Sequence, residues 1–312
     1  MIGVGISGWR YAPWRGVFYP PDLLQADELE FASRQFSSIE INDTFYSLQR
    51  PESFARWHDA TPDGFVFAVK APRYITHILR LRDAEEPLAN FLASGVLRLG
   101  AKLGPILWQF PPSFRFDPPR IDAFLSLLPR DTEGAAKVAQ GHGARMRGRT
   151  WLETDAKRPL RHAMEIRHES FAVPAFIEML RAHRVALVCA DTVEWPRLMD
   201  VTADFIYCRL HGSTELYRSG YGPKALRLWA RRVKAWARGG EPKDAARVSG
   251  KRAPKRAGRD VFVYFDNTDK LRAPRDARAF AELVGAGLKA SRPARRARRR
   301  TRPSRKVRRS AP

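Results

Sequence analysis

Cysteine is scarce in this sequence: only Cys189 and Cys208 occur among 312 residues. Two thiols are too few for a disulfide framework, so the fold must be stabilised by a hydrophobic core, for which the 44% hydrophobic content is sufficient. Both cysteines lie within predicted strands, which indicates buried free thiols.

Long apolar runs are also absent. The longest, at residues 185–190, is much shorter than the roughly 20 residues that a membrane-spanning helix needs. The residues after Met1 contain neither the basic nor the apolar region of a secretory signal. These absences predict a cytoplasmic protein without a membrane partner.

Acidic residues are outnumbered, with 33 Asp and Glu against 56 Lys and Arg, giving a net charge of +23. The excess is uneven, because residues 289–312 contain twelve Lys or Arg and no acid. Two further stretches, at about 131–158 and 240–259, are rich in Gly, Ala and Arg and look like mobile basic insertions. The positive charge therefore belongs mainly to appendages of the folded domain.

A glycine pattern at the amino terminus resembles a dinucleotide fingerprint. Gly3, Gly5 and Gly8 have the spacing G-x-G-x-x-G, which requires a strand before it and a helix directly after it. Only two residues precede Gly3, and the sequel contains Pro13 and two further prolines. The pattern is therefore interpreted as the end of a first strand, and no dinucleotide cofactor is predicted.

Predicted strands and helices alternate along the chain. The strands are expected at 1–6, 38–41, 65–70, 106–110, 163–166, 185–190, 205–210 and 261–265. Each is followed by a helical segment, and the strands are apolar throughout, which is typical of parallel strands covered on both faces. Eight such units predict an α/β fold, a closed (β/α)8 TIM barrel forming a single domain over residues 1–288 and carrying the two insertions.

Polar side chains end most of these strands. Because the carboxyl ends of the strands form the catalytic face of a TIM barrel, we expect these side chains to meet in one pocket. They are Glu40, Asn42, Lys70, Gln109, Glu165, Arg167, Asp191, Arg209, His211 and Asn267. Any one of them could instead form a salt bridge that seals the barrel, but so many buried polar groups at one rim favour a function.

The residue types at this rim favour an anionic or polyol ligand. Arg167 and Arg209 can clamp a carboxylate or phosphate through paired hydrogen bonds, and Lys70 supplies a point charge. Side chains suited to ligand hydroxyl groups are Glu40, Asn42 and Asn267.

Proton transfer at the rim needs titratable groups. Glu165 and Asp191 are the candidate acid and base, with His211 as a titrating partner near neutral pH. Because three cations would repel a metal ion, neither a metal nor another cofactor is predicted.

Aromatic residues cluster beside the rim. The loop at 9–19 contains five, and Phe45 and Tyr46 follow the second strand. Trp9 and Tyr46 are the candidates for stacking on a base or a sugar ring; the alternative is a hydrophobic lid over the barrel. The segment after Gln109 could hold a cis proline that orients the Gln109 side chain.

Eight motifs in order resemble those of the YecE-like family, also named domain of unknown function 72. They are GISGW, WxxxFYP, EINDTFY, FVFAVKAP, QFPPSF, EIRHESF, RLHG and YFDNT. The resemblance runs from about Ile2 to Val284 and implies a TIM barrel without an established activity. Its barrel is similar to those of the endonuclease IV and xylose isomerase group, an analogy of fold alone. This chain has Asp266 where the family more often has Asn.

Three hypotheses for the function follow. The first is a metal-independent hydrolase, lyase or isomerase acting on a small anionic, phosphorylated or sugar-like substrate. The second is a nucleic-acid-binding protein that uses the basic tail and the aromatic loop. The third is a barrel that binds a ligand without chemistry.

The tail at 289–312 is predicted to be disordered, because its cations repel each other and Val307 is its only sizeable apolar side chain. We expect it to bind nucleic acid without sequence preference, by phosphate contacts; the alternative is a solubilising tail. The arginines expected to make these contacts are Arg295, Arg296, Arg298, Arg299, Arg300 and Arg302.

Overall fold

The computed structural model describes residues 1–212, 214–267 and 271–286. Eight parallel strands pair in chain order, and the last pairs with the first to close a barrel. The strands are β1 (Ile2–Ser7), β2 (Ser38–Ile41), β3 (Val66–Lys70), β4 (Leu103–Gln109), β5 (His162–Glu165), β6 (Ala186–Asp191), β7 (Phe205–Leu210) and β8 (Asp260–Phe265). The predicted (β/α)8 barrel is confirmed.

Helices surround the barrel. They are α1 (Glu28–Ser33), α2 (Asp43–Tyr46), α3 (Pro51–Asp59), α4 (Glu85–Ala93), α5 (Pro118–Leu127), α6 (Thr132–Ala139), α7 (Pro174–Ala182), α8 (Pro223–Ala237) and α9 (Arg272–Val284). Four of them, α3, α5, α7 and α8, begin with a proline, whose restricted φ and missing N–H suit the first turn. None of the helices in the described ranges is long and apolar enough to cross a membrane.

The glycines of β1 serve the packing of the strands. A Cβ built on Gly5 would lie 1.7 Å from the carbonyl oxygen of Ser38 in β2, so no larger residue fits between these strands. A Cβ on Gly3 would lie 3.1 Å from the Phe262 ring. The glycine pattern therefore belongs to the crowded side of a barrel strand.

Alternation along the strands separates two apolar cores. The inward-facing core includes Ala68, Leu107, Ala163, Tyr207 and Tyr264, and the larger core lies between the outer strand faces and the helices. Cys189 and Cys208 occupy neighbouring positions on β6 and β7, and both are buried free thiols, as predicted.

The segment at about 131–158 contains more regular structure than its composition predicts. Helix α6 begins after Asp131, whose side chain accepts a hydrogen bond from Gly134 N, and it packs against α4. Its Ala135 and Ala139 are buried. The small residues that suggested a mobile insertion therefore form the face of α6 that packs against the folded domain. The predicted basic tail at 289–312 lies outside the described residues.

Candidate active site at the carboxyl end of the barrel

A ring of polar side chains caps the interior core. Residues two apart on a strand share a face, so a residue two positions beyond an inward-facing one also points to the barrel axis. The ring consists of Ser7, Glu40, Lys70, Gln109, Glu165, Arg209 and Asp266, with Ala190 completing it from β6. The structure thus brings together five of the predicted strand-end residues.

Arg209 is the centre of this ring and is 1% exposed. Its Nε and Nη2 donate to the two oxygens of Glu40 at 3.0 and 2.9 Å. Its Nη1 donates to Glu165 at 2.7 Å and its Nη2 to Asp266 at 2.8 Å. All three guanidinium nitrogens are therefore engaged by carboxylates, and only the second N–H of Nη1 has no partner in the described part of the chain.

Glu40 is held from the other side as well. Tyr207 Oη donates to its Oε2 at 2.6 Å, and the Ser7 hydroxyl donates to its Oε1. With these two bonds and those from Arg209, both oxygens of this buried carboxylate are satisfied. Glu40 therefore stabilises the ring, and its predicted binding of ligand hydroxyl groups stays a prediction for a carboxylate that already accepts four hydrogen bonds from the protein.

Charge within the ring determines the protonation of its acids. Burial favours the neutral carboxyl of Glu165, but Arg209 and Arg167 outweigh burial and hold its pKa far below the ordinary value. The same balance, with Arg209 as the main cation, lowers the pKa of Asp266. Both groups remain ionised at neutral pH, whereas a general acid needs a raised pKa.

Arg167 is also paired. Its Nε and Nη2 lie 2.8 and 2.7 Å from Glu165 Oε1, and its guanidinium carbon lies 4.2 Å from the centre of the Trp195 ring. Both arginines expected to clamp an anion are thus engaged by carboxylates of the protein, because the acids sit at the same level of the barrel as the cations.

Lys70 differs from both arginines. Its side chain makes no hydrogen bond or ion pair within the described ranges, and its Nζ lies 4.1 Å from the centre of the Phe45 ring. Burial, with the Arg209 charge, lowers its pKa from 10.5 to about 8 against the attraction of the ring carboxylates. A substantial fraction of this buried amine is therefore neutral near physiological pH.

Other polar groups at this face have unused hydrogen-bonding capacity. The Gln109 side chain is buried and has no hydrogen-bond partner among the described residues. Asn42 donates to Ser7 Oγ at 2.9 Å, but its buried Oδ1 accepts nothing. His211 Nδ1 lies 3.2 Å from Asp266 Oδ2, yet neither ring nitrogen makes a hydrogen bond of acceptable geometry. Buried polar atoms without partners are uncommon and mark a place where a ligand can bind.

His77 lies next to this group. Its ring is 5.1 Å from that of Phe45, on which Lys70 also rests, and its Nδ1 is 2.8 Å from Thr76 Oγ1. Burial and the nearby Lys70 charge lower its pKa to about 4, so the imidazole is neutral at physiological pH.

The expectation that Asp191 and Asn267 face the same pocket is wrong. Asp191 accepts hydrogen bonds from Arg197, Tyr221 and Trp229, between the strands and α8. Asn267 donates to Asp276 of α9 at 2.7 Å. Both residues are one position out of phase with the inward-facing set, so the alternation of side chains turns them towards the helices.

The two aromatic candidates for stacking, Trp9 and Tyr46, lie in different environments. Trp9 is buried against Trp57 of α3 with ring centres 5.5 Å apart, so it packs in the outer core and offers no stacking surface. Tyr46 is 71% exposed, and the centre of its ring lies 5.1 Å from that of Phe45. The described chain contains no cis peptide bond, so Gln109 is placed by trans prolines.

Two cavities are lined by residues that contact the polar ring, one by Phe45, which contacts Lys70, and the other by Arg167, which pairs with Glu165. One of about 400 Å³ is lined by Phe45, Tyr46 and three arginines, Arg50, Arg145 and Arg149, with no carboxylate among its lining residues. The other, of about 380 Å³, includes Arg167, Glu194 and Trp195. Within the described ranges, no group of three or more His, Cys, Asp or Glu side chains is arranged to hold a metal ion.

Comparisons with known proteins agree with the motifs. A family model described as "Protein of unknown function DUF72" matches residues 3–300, which confirms the predicted YecE-like family. The UPF0759 protein YecE of Escherichia coli K12 is 32% identical over 139 residues, covering 44% of this chain and 48% of YecE. The UPF0759 protein YunF of Bacillus subtilis 168 is 32% identical over 119 residues, covering 36% of this chain and 41% of YunF. These alignments span about half or less of each relative.

Solved structures extend the similarity to most of the chain. A DUF72 family protein of Thermotoga maritima MSB8 has a TM-score of 0.67 and 25% identity, covering 91% of this chain and 99% of that protein. A DUF72 family protein of Enterococcus faecalis V583 has a TM-score of 0.65 and 18% identity, covering 91% and 96%. The second likeness concerns the fold alone.

Proposed function

Since this chain belongs to the DUF72 family, whose description assigns no activity, we propose from its site that it is a metal-independent lyase or isomerase. Its substrate would be a small sugar-like carbonyl compound with an anionic group, bound at the carboxyl end of the barrel. The observation that carries the proposal is the buried, unpaired amine of Lys70 with its pKa of about 8. A neutral amine can attack a carbonyl carbon, which an ordinary ammonium group cannot.

The reaction begins with Lys70 Nζ adding to the carbonyl carbon. The amine transfers a proton to the carbonyl oxygen, so the product is a carbinolamine with a new C–N bond and a hydroxyl group. That hydroxyl group takes a second proton from solvent and leaves as water with the electrons of the C–O bond, which gives a protonated Schiff base. That cation accepts the electron pair released when a neighbouring C–H or C–C bond breaks. The neutral His77, on the same Phe45 ring, is the candidate for accepting the proton.

Binding uses the groups that the protein leaves unsatisfied. The amide of Gln109 and Oδ1 of Asn42 would bind substrate hydroxyl groups. An anionic end would lie in the 400 Å³ cavity beside Phe45, where Arg50, Arg145 and Arg149 provide positive charge. The Arg209 ring holds the surrounding strands but contacts the substrate with none of its donors.

Trapping the Schiff base tests this function. Incubating the protein with dihydroxyacetone phosphate or glycolaldehyde and cyanoborohydride is expected to leave one stable adduct, mapped to Lys70 by mass spectrometry. Lys70→Met should lose the adduct, while Lys224→Met, which removes an exposed lysine on α8, should retain it. Adducts spread evenly over exposed lysines would contradict the proposal. Saturable binding without any adduct would favour the barrel that binds a ligand without chemistry.

The titration of Lys70 gives a second, substrate-independent prediction. Reductive ¹³C-methylation followed by NMR should show one lysine titrating near pH 8, absent from Lys70→Met. Because the folded pKa is below the ordinary 10.5, folding disfavours the protonated amine by about 3 kcal/mol below pH 8. This cost is relieved as the pH rises from about 8 to about 10.5, so the parent should gain stability relative to Lys70→Met over that range. Titration of every lysine above pH 10 would refute the assignment.

A further inference from the structure

A second basic site lies at the opposite end of the barrel. A cavity of about 1010 Å³ opens among the segments that precede β5, β6, β7 and β8, and we call it the amino-terminal basin. Its lining contains one carboxylate, Asp204, and six arginines: Arg130, Arg161, Arg181, Arg184, Arg256 and Arg259. The basin shares no residue with the candidate active site.

Three of these arginines are fixed by the fold. Arg161 pairs with Asp260 at 2.7 Å and Asp204 at 3.3 Å. Arg181 donates to the carbonyl oxygen of Val201 at 3.1 Å, and Arg259 to that of Gly240 at 3.1 Å. Arg259 is 4% exposed, and its buried Nε has no hydrogen-bond partner. The basin floor therefore holds rigid guanidinium groups, one of which retains a free donor.

The other three arginines supply uncompensated charge. Arg184 and Arg256 are exposed, and neither side chain makes a hydrogen bond or ion pair in the described part of the chain. Arg130 contacts the Leu125 carbonyl oxygen and the His183 ring, and it makes no ion pair with a carboxylate in the described part of the chain. Burial together with the charge of Arg184 lowers the pKa of Arg130, and burial with Arg256 lowers that of Arg259. These like charges repel one another, and an anion between them would relieve the repulsion.

We propose that the amino-terminal basin binds the phosphate backbone of a single-stranded nucleic acid. Guanidinium groups match phosphate oxygens through paired hydrogen bonds, and all six cations are arginines. The volume lies at the upper end of the roughly 300–1,000 Å³ typical of ligand pockets, which suits a few nucleotides of a strand. A flat membrane surface could reach the exposed Arg184 and Arg256 but not the buried Arg259.

Charge elsewhere in the sequence favours a long polyanion over a free nucleotide. Residues 289–312, which lie outside the described ranges, add twelve cations and no acid to the chain. A polyanion longer than the basin can contact cations outside it, whereas a free nucleotide cannot.

A pair of charge-matched variants of the full-length chain tests the proposal. Arg184→Gln with Arg256→Gln removes two basin charges, while Arg227→Gln with Arg231→Gln removes two exposed, unpaired charges from α8. Binding of a labelled oligothymidylate is measured by anisotropy at several salt concentrations. The basin variant should bind more weakly, with a slope of log K against log salt smaller by about 1.4 for two lost single-strand contacts. The α8 variant should keep the parental slope.

Each other outcome would overturn the proposal. Equal losses in the two variants would mean that only net charge matters, and an unchanged slope in the basin variant would mean that the strand binds elsewhere. Phosphatidylserine vesicles and inorganic phosphate serve as alternative probes. If the basin variant loses binding to either of them but not to the oligonucleotide, the basin is a membrane or small-anion site.

Discussion

Replacing Arg209 by methionine is expected to lower the melting temperature by about 10 °C at pH 7. The substitution keeps most of the side-chain volume but leaves Glu40, Glu165 and Asp266 without their shared cation in a buried ring. Removing one partner of a buried ion pair costs about 3–5 kcal/mol, and for a chain of this size each kcal/mol shifts the melting temperature by about 2–4 °C. Thermal unfolding monitored by circular dichroism measures the effect.

The pH dependence of this variant distinguishes lost pairing from lost packing. In the parent, the depressed pKa values of Glu165 and Asp266 contribute stability that is present above their ordinary values of 4.5 and 3.8 and is lost as pH falls below them. Without Arg209, the burial that raises the pKa of Asp266 loses its main opposing charge, whereas Glu165 keeps Arg167, so protonation of Asp266 stabilises the variant. The melting temperature of the variant should therefore increase when the pH is lowered from 7 to 5. The same groups should not change the melting temperature of the parent, because its Glu165 and Asp266 stay ionised over this range.

Two comparisons make the result specific. Arg34→Met breaks an exposed pair with Glu30 and should change the free energy of unfolding by less than about 1 kcal/mol. Adding Asp266→Asn to Arg209→Met removes one stranded charge and should recover part of the loss. An Arg209→Met protein with the parental melting temperature and pH profile would show that the ring does not stabilise the barrel.

The strand pattern made the barrel predictable. Apolar runs of four to six residues identified all eight strands, and the predicted and observed bounds of β2 and β7 coincide. Amphipathic stretches gave the long helices, although α4 ends at Ala93 and is followed by a 3-10 segment from Val96 to Lys102. Gly95, with φ of +114°, separates the two, although the periodicity of residues 88–99 predicts a single helix there.

The level of a residue on its strand was less predictable than the strand itself. Asp191 is the last residue of β6 and Asn267 follows β8 by two, so both are at the correct end of the barrel. A side chain changes face with every residue, and a prediction that locates the end of a strand within one residue cannot determine its face. Alternation within VFVYFDN pointed to Asp266, since Tyr264 two residues earlier shares its inward face.

The sequence allowed for salt bridges at the rim, but it could not predict which of the ring residues pair with each other. Arg209 and Lys70 both end strands as buried cations, and the sequence assigns both to ligand binding. Only the stagger of the strands decides that Arg209 lies level with Glu40, Glu165 and Asp266, whereas Lys70 lies beside Phe45. Ser7 and Tyr207 were not predicted as site residues, because their roles are hydrogen bonds to Glu40 that depend on the same stagger.

Neutralising the basic tail is expected to have the largest effect on nucleic-acid binding. Changing Arg295, Arg296, Arg298, Arg299, Arg300 and Arg302 to glutamine keeps the chain length and removes six of the twelve cations at 289–312. If each arginine neutralises one phosphate of duplex DNA, the slope of log K against log salt should decrease in magnitude by about 5, and affinity at low salt should fall on the order of 10³-fold. The loss should be the same for unrelated duplex sequences, because phosphate contacts carry no sequence information.

The tail and the amino-terminal basin predict different substrates, so the same titrations separate them. Phosphate contacts by the tail cations require no particular strand form, whereas the concave basin, in which Arg161, Arg181 and Arg259 are fixed by the fold, suits a single strand. The tail variant should therefore lose affinity for both forms, and the Arg184 and Arg256 double variant mainly for the single strand. If the tail variant binds duplex as tightly as the parent with the same salt slope, residues 289–312 act only as a solubilising segment. Binding of the single strand that survives in that variant would then have to come from the folded barrel.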